Sequence, residues 1–332
     1  MKKIMVVDDN IASLRQIEAL LADDFEVSLA KSGETGLKML SASRFDLILL
    51  DVEMPVMDGF EMLAKMRENP LYAGIPVIFL TGNKQLDIKV RCLKEGAADF
   101  IVKPAEKSVL LHRISLHISM SDNYRSLEKL VRDMSDSLAI TFSELIEFRD
   151  EDTGGHVVRT SLYVELLGRE LISTGAFSDE LTEATLESCV RAAPLHDIGK
   201  IAISDSVLLK PGSLTAGEFA VMQTHAQIGA DIIDGMLQLT PSLYYLQYAR
   251  EIAATHHERY DGSGYPNGLL GSAIPLCGRL MAVADVYDAL VNDRVYRKGL
   301  SKELAREIIF DGSGKSFDPA VVEAFRHICA KL

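Results

Sequence analysis

The sequence predicts two domains of different class, an α/β doubly wound domain followed by an all-α domain, joined by a helical segment. The chain has 332 residues, more than a single hydrophobic core usually supports. Its first third alternates short apolar runs with amphipathic segments, whereas after residue 148 that alternation stops and the patterns are helical. We therefore expect a first domain over 1–120, a helical linker over 121–148 and a second domain over 149–332.

Composition and charge exclude several classes of protein. The net charge of -13 opposes binding to a nucleic-acid polymer, because such binding depends on Lys and Arg at the phosphates. A local basic pocket can still bind a small phosphorylated ligand. The apolar stretch at the N-terminus stops at Asp8, and no apolar run approaches the roughly 18 residues of a membrane span. The four cysteines form no C-x-x-C pair, which indicates reduced, mostly buried thiols in a cytoplasmic protein without a membrane segment.

Polar side chains end the predicted strands of the first domain. The runs KIMVVDD, FDLILLD, IPVIFLTG and DFIVKP are continuous and apolar, as expected for strands buried on both faces of a parallel sheet. The carboxyl ends of such strands form the functional edge of the sheet. The polar residues at these ends are Asp8, Asp9, Asp51, Thr81 and Lys103.

These five residues form a chemically coherent set. Three carboxylates are suitable ligands for Mg²⁺, which prefers oxygen and accepts phosphate oxygens. Asp51 could then be a nucleophile towards a phosphoryl group, while Thr81 and Lys103 hold the transferred oxygens. The alternative is that all five are ordinary polar caps of strands, and the matched placement of the whole set disfavours it.

The first domain resembles the receiver domain of two-component response regulators. The motifs VVDDN, LLDVEMPVMDGFEML, LTG and DFIVKP match that family in order and spacing, over about residues 1 to 120. The resemblance implies that Asp51 is the phosphoacceptor and that Asp8 and Asp9 form the acidic pocket for Mg²⁺. It also implies that Phe100 is the aromatic residue that repositions on phosphorylation, and that a sensor histidine kinase is the partner.

An apolar stripe runs along the predicted linker helix. Its residues recur at spacings near 3.5, which is typical of a coiled coil. Two interpretations are open: the stripe is the seam of a homodimer, or it packs on its own domain. The stripe consists of Leu127, Val131, Met134, Leu138 and Leu145.

Histidines and carboxylates of the second domain predict a metal centre. Five of the eight histidines lie between His156 and His257, each on a helix or beside a carboxylate. Together with two aspartates they exceed the four ligands of one tetrahedral zinc, so two or three ions are expected. The absence of Cys ligands favours Fe or Mn. His256 and His257 are adjacent and point about 100° apart on a helix, so we expect them to reach different metals.

Local signals place several of these residues. Thr153 is a plausible N-cap for the helix that begins with His156. Gly199 is expected to terminate the helix that carries the motif HDIGK. Asp285 and Asp288 share one face of an otherwise apolar helix, and carboxylates in that setting need partners.

The histidine pair continues into a loop, HHERYDGSGYPNG. Gly262 and Gly264 permit tight turns and close approach to a ligand, while Tyr265 and Pro266 offer flat surfaces on which a base can stack. With HDIGK, IPLCGRLMAVADVYDAL and DRVYRKG, this loop closely resembles the HD-GYP family of phosphodiesterases that act on bacterial cyclic dinucleotides. The resemblance covers about residues 144 to 325.

The resemblance implies roles for individual residues. The positions that match metal ligands are His156, His196, Asp197, His225, His256, His257 and Asp285. Asp152 stands where some members have a Glu that supports a third metal. The positions associated with substrate or its phosphates are Lys200, Tyr265, Pro266, Arg279, Arg294 and Arg297.

The implied activity is hydrolysis of cyclic di-GMP or 3',3'-cyclic GMP-AMP, controlled by phosphorylation. A hydroxide bridging two metals would attack the phosphodiester, and the catalytic residues would be His196, Asp197 and Lys200. The alternative is a signalling module that binds the dinucleotide or a partner protein without hydrolysis. The complete ligand set disfavours this alternative.

Overall fold

The computed structural model describes residues 1–82, 86–149, 155–293 and 298–331. The chain divides into two compact units, Met1–Arg132 and Asp133–Leu332. The first is α/β and the second is helical, so the predicted fold classes are confirmed. The division falls inside one continuous helix, Lys107–Arg149.

The first unit is a five-stranded parallel sheet with the order β2-β1-β3-β4-β5. Its strands are β1 (Lys3–Val7), β2 (Glu26–Ala30), β3 (Leu47–Asp51), β4 (Val77–Thr81) and β5 (Asp99–Val102). Its helices are α1 (Ile11–Leu21), α2 (Gly33–Ala42), α3 (Gly59–Glu68), α4 (Pro70–Ala73), α5 (Leu86–Lys94) and the start of α6 (Lys107–Arg149).

Helices cover both faces of this sheet. One apolar cluster joins strand residues to α1 and α6, and the other joins them to α2, α3 and α5. The four apolar runs identified in the sequence are strands β1, β3, β4 and β5; β1, β3 and β4 are buried, and the edge strand β5 is partly buried. The fifth strand, β2, was not predicted, because polar residues interrupt its apolar ones; it lies at the sheet edge and is partly buried.

The second unit packs its helices around one large apolar core. Besides the end of α6, its helices are α7 (His156–Ser173), α8 (Glu183–Ala192), α9 (Asp205–Leu208), α10 (Ala216–Leu239), α11 (Tyr245–Thr255), α12 (Leu276–Val291), α13 (Lys302–Asp311) and α14 (Pro319–Ile328). Short 3₁₀ segments span Ala193–Ala202, Gly271–Ala273 and Cys329–Lys331.

Two local predictions in this unit were wrong. The N-cap of α7 is Gly155, in a left-handed conformation, and Thr153 lies outside the described residues. Gly199 does not terminate a helix, since the 3₁₀ segment continues to Ala202. A Cβ at Gly199 would lie 2.0 Å from the carbonyl oxygen of His225, so glycine is required there for close packing against α10.

The apolar stripe of α6 lies on the surface. Its five predicted residues are each 53% to 59% exposed, so the structure does not pack them on their own domain. Met120, Tyr124 and Phe148 continue the same spacing and are also exposed. The four cysteines are free and buried, as predicted. In the part of the chain that the structure describes, no helix has the length and apolarity needed to cross a membrane.

Candidate functional site

The carboxyl edge of the sheet brings together the polar residues predicted there. Asp8 follows β1, Asp51 ends β3, and carboxylate oxygens of Asp8, Asp9 and Asp51 lie within 4.8 Å of one another. The Lys103 ammonium lies 2.7 Å from Asp8 and 2.9 Å from Asp51. Thr81, at the end of β4, is buried. This edge therefore offers three oxygen donors and one cation, the groups that a phosphoryl oxygen and Mg²⁺ require.

Burial shapes the chemistry of Asp51. Burial raises the pKa of this carboxyl, Lys103 opposes that effect, and the neighbouring Asp8 raises the pKa further. The backbone around Asp51 is tightly packed, because a Cβ at Gly59 would lie 2.3 Å from the carbonyl oxygen of Asp51. Phe100 lies in β5 and is half-buried.

In the helical unit, seven side chains form two groups of metal donors. The first group is Asp197, His225, His256 and His257, and the second is His156, His196 and Asp285. Within each group the donor atoms lie within 4.8 Å of one another. The groups are adjacent, since Nε2 of His156 lies 3.4 Å from Nε2 of His196 and the latter lies 3.4 Å from Asp197.

The hydrogen bonds of four histidines direct Nε2 into the cluster. The Nδ1 atoms of His196, His225 and His256 donate to the backbone carbonyls of Ala193, Met222 and Ile252 respectively. Nδ1 of His156 donates to the Asp288 carboxylate at 2.8 Å. A histidine that ligates a metal through one nitrogen commonly donates the other N–H in this way.

The atoms that face the cluster have the character of metal ligands. Among the described residues, Oδ1 of Asp197 and Nε2 of His225 and His256 are buried and make no hydrogen bond of good geometry, although both nitrogens lie within 3.5 Å of that oxygen. Buried polar atoms without partners are costly unless another group satisfies them. Mixed imidazole and carboxylate donors suit Fe, Mn or Zn, so these residues fit a cluster of divalent metal ions.

Charges around the cluster favour an ionised Asp197 and a neutral His257. Burial alone would raise the pKa of Asp197, but Lys200 and His196 outweigh it and hold the pKa well below its usual range. Burial and the neighbouring His256 lower the pKa of His257 well below its usual value. Deprotonated carboxylates and neutral imidazoles are the forms that bind metal.

Asp288 connects α12 to α7 behind the cluster. It accepts from Nδ1 of His156, and Arg159 donates to both of its oxygens at 2.7 and 3.0 Å. Asn292 donates to it at 2.9 Å. The partners that the sequence required for Asp288 are therefore present, and they fix the ring orientation of His156.

The adjacent histidines contribute to one donor group, contrary to our expectation that they reach different metals. Helix α11 ends at Thr255, and His256 is its C-cap, so His257 is the first residue beyond the cap. Their ring centroids are 4.0 Å apart.

The loop after these histidines lies beside an open cavity of about 520 Å³. Lys200, Lys210, His225, His257 and Tyr265 line it. The Lys200 ammonium is 2.9 Å from Asp197, and the Tyr265 ring lies 4.8 Å from that of His257. The cavity thus joins the metal donors to two lysines and an aromatic ring, groups that suit phosphates and a base.

Comparison with known families agrees with both halves of the fold. The response regulator receiver domain matches residues 4–115, and the HD domain matches residues 141–321, more than half of the chain. The chain belongs to the HD-domain response regulators.

Several relatives of this HD-domain response regulator have named activities. A probable cyclic di-GMP phosphodiesterase of Vibrio cholerae is 40% identical over 97% of this chain and 76% of its own. The cyclic di-GMP phosphodiesterase response regulator RpfG of Xanthomonas campestris is 36% identical over 99% of this chain and 88% of its own. A 3'3'-cGAMP-specific phosphodiesterase of Vibrio cholerae is 42% identical over 58% of this chain and 34% of its own.

Two predicted site residues of the HD-domain response regulator lie away from the metal-donor cluster, and three others lie outside the described residues. Arg279 is buried, and its guanidinium donates to Asp318 at 2.6 Å and to the Ile274 carbonyl oxygen. These contacts hold helix α12 to neighbouring segments rather than facing the cluster. Pro266 is exposed at the tip of the loop. Asp152, Arg294 and Arg297 lie outside the described residues.

Glu258, which the sequence analysis did not predict as a site residue, holds the loop in place. It is buried, and its carboxylate accepts from the backbone N–H groups of Asn267 and Leu269 at 2.7 and 3.0 Å. The signal that could have indicated this role is the position of a charged residue directly after the histidine pair and directly before the glycine-rich loop.

Proposed function

We propose that this protein is a phosphorylation-regulated, metal-dependent phosphodiesterase that hydrolyses a bacterial cyclic dinucleotide, cyclic di-GMP or 3',3'-cyclic GMP-AMP. One observation carries the proposal: seven buried or half-buried donors form two adjacent groups beside a cavity that contains lysines and an aromatic ring. The names of the relatives point to the same class of substrate.

Two or three Fe or Mn ions are the proposed cofactors of the helical domain. Asp197, His225, His256 and His257 would hold one ion, and His156, His196 and Asp285 another, while Asp152 remains the predicted ligand of a third. Bound ions would supply Lewis-acid stabilisation of the phosphodiester and activation of water. The absence of cysteine from both groups favours Fe or Mn over a structural zinc.

The protein's own residues would bind and orient the substrate. The Lys200 ammonium, held 2.9 Å from Asp197, lies where it can balance phosphate charge beside the donors. The Tyr265 ring, at the cavity wall, can stack on a base. Arg294 and Arg297 remain predicted phosphate contacts. Arg279 is also a predicted phosphate contact, and its buried ion pair with Asp318 must break before it can contact a phosphate.

In the receiver domain, Asp51 is the proposed phosphoacceptor and a sensor histidine kinase the proposed partner. Asp8 and Asp9 would hold Mg²⁺ next to Asp51, and Lys103 and Thr81 would contact the phosphoryl oxygens. Phe100 is the proposed switch residue. We place these reactions in the cytoplasm, in keeping with the free thiols.

Incubation of Mn²⁺-loaded protein with each dinucleotide, followed by separation of the products, tests the proposed activity. We expect a linear dinucleotide, then mononucleotides, from at least one substrate. Tight binding without any product from either dinucleotide would favour the non-hydrolytic signalling module instead.

We also propose that α6 forms a parallel coiled coil with a second copy of the chain. Met120, Tyr124, Leu127, Val131, Met134, Leu138, Leu145 and Phe148 follow alternating spacings of a heptad and are exposed. Light scattering should find a dimer that Leu138→Glu weakens. Ser126→Glu adds the same single negative charge at an exposed position of α6 off the stripe and should leave the dimer intact; equal masses for the two variants would reject the seam.

A further inference from the structure

A buried carboxylate from α6 reaches the second donor group. Glu147 lies in the last turn of α6 and is only 6% exposed. Its Oε1 atom lies 3.7 Å from Nε2 of His156. The metal ligands predicted from the sequence do not include Glu147, which precedes His156 by nine positions.

The position of Glu147 relative to the two nitrogens of His156 is informative. Nδ1 of His156 donates to Asp288, on the side of the ring away from the cluster. Nε2 is the nitrogen that faces the donors, at 3.4 Å from His196 and 3.5 Å from Asp285. Glu147 approaches Nε2, so its carboxylate lies on the side of the ring where a metal ion would bind.

The end of α6 is fixed in this position by Arg149. Its guanidinium donates to the carbonyl oxygens of Ile201 and Ile203 and to the carboxylate of Asp205. These acceptors follow directly on the motif that carries His196 and Asp197. The turn with Glu147 is thus tied to the segment that supplies two of the metal donors.

Electrostatics also favour a cation at this point. Glu147 and Asp285 both lie within 3.7 Å of the same nitrogen of His156. Two carboxylates that approach the same histidine nitrogen repel each other, and a divalent cation bound by both removes that repulsion. Carboxylate oxygens are good ligands for Mn²⁺ and Fe²⁺.

We propose that Glu147 is a further ligand of the ion held by His156, His196 and Asp285. The inference rests on the proposed metal centre and adds to it a ligand from the helix that begins in the receiver domain. The last turn of α6 then contacts the metal centre directly, so a change in α6 alters the coordination of one ion.

Mn²⁺ binding by Glu147→Gln, compared with parent protein, tests the proposal. The substitution keeps the shape of the side chain and removes the charge. Glu144→Gln is the matched control, because Glu144 is on the same helix and exposed. Metal analysis and competition with a chelating dye should find one Mn²⁺ bound more than about 100-fold more weakly in Glu147→Gln, because loss of a residue that only hydrogen-bonds to a ligand already costs about 10- to 100-fold. The control should match the parent.

Thermal unfolding gives a second readout that does not depend on activity. Without metal, Glu147→Gln should be at least as stable as the parent, because it removes a buried charge; the stabilisation on adding Mn²⁺ should be smaller. If Glu147→Gln fails to fold, Glu147→Asp keeps the charge with a shorter reach and should show the same weaker binding.

Three outcomes would overturn the proposal. The first is that Glu147→Gln binds the same number of Mn²⁺ ions with the same affinity as the parent. The second is that metal-free Glu147→Gln is less stable than the metal-free parent but binds Mn²⁺ with the affinity of the parent. The third is that the parent itself binds no Mn²⁺. A parent that binds Mn²⁺ but hydrolyses neither dinucleotide would contradict the proposed function alone, since the comparison of Mn²⁺ affinities still applies.

Discussion

At the scale of single residues, Asp288 determines how a donor histidine faces the cluster. It binds Nδ1 of His156 and is itself held by Arg159 and Asn292. Burial would raise the pKa of Asp288, but His156 and Arg159 outweigh it and lower the pKa, so the carboxylate stays ionised. An ionised acceptor at Nδ1 fixes the tautomer that presents Nε2 to a metal.

We predict that Asp288→Asn weakens metal binding by about 10- to 100-fold, because an amide is a poorer acceptor for Nδ1–H. Mn²⁺ titration measures the effect. Asp311→Asn, at an exposed position on α13, is the control and should bind as the parent does. Parent-like affinity in Asp288→Asn would mean that the ring of His156 is oriented by other contacts.

A second residue-scale prediction concerns Asp51. Asp51→Asn should abolish labelling by acetyl phosphate, because the amide keeps the shape of the side chain and removes the nucleophile. Circular dichroism should show an unchanged fold. Labelling that persists in this variant would place the phosphoacceptor elsewhere in the receiver domain.

At the scale of elements, α6 is the continuous connection between the two units. It begins at Lys107, after β5, and ends at Arg149, beside the 3₁₀ segment that carries His196. Its helical character was predictable from its periodicity. Which apolar residues of α6 are buried and which are exposed was not predictable, because an exposed apolar stripe and a buried face have similar spacing in the sequence.

We predict that phosphorylation of Asp51 changes the hydrolysis rate through α6. A coupling of about 1–3 kcal/mol, or roughly 5- to 150-fold, is ordinary. Arg149→Ala should reduce the ratio of rates between phosphorylated and unphosphorylated protein, because it releases the end of α6. Lys129→Ala, at an exposed position on the same helix, should preserve that ratio.

The experiment should span the concentrations over which the proposed dimer would form, since dimerisation could mask the coupling. Equal rates for phosphorylated and unphosphorylated parent would reject regulation through α6. An unchanged ratio in Arg149→Ala would show that the anchored last turn does not transmit the signal.

Elements also show where pattern reasoning fails. The edge strand β2 was missed because its mixed polarity resembles a loop, although it pairs with β1 along its whole length. Gly199 was assigned to a helix end because glycine is common there. Its actual role is contact with the backbone of α10, which depends on a segment far away in sequence.

For the whole molecule, the order of the two fold classes and the clustering of histidines and aspartates in the helical unit were predictable, because their motifs are long and local. Residues that act through distant partners were not. Glu147 reaches His156 across a helix boundary, and Arg279 pairs with Asp318, 39 positions away. No spacing in the sequence indicates such pairs, because they form only when separate helices pack together.

The central claim is that the two donor groups hold the metal ions that make this protein a cyclic-dinucleotide phosphodiesterase. Asp197 connects the groups, with one oxygen 3.2 Å from His225 and the other 3.4 Å from His196. Its replacement should therefore affect both groups together.

The most direct measurement is bound Mn²⁺ and dinucleotide turnover, determined on the same preparations of parent, Asp197→Asn and Asp179→Asn. Asp179 is an exposed control. We predict that Asp197→Asn loses turnover and part of its bound metal, while Asp179→Asn equals the parent in both. Parent-like turnover in Asp197→Asn would contradict the proposed metal centre.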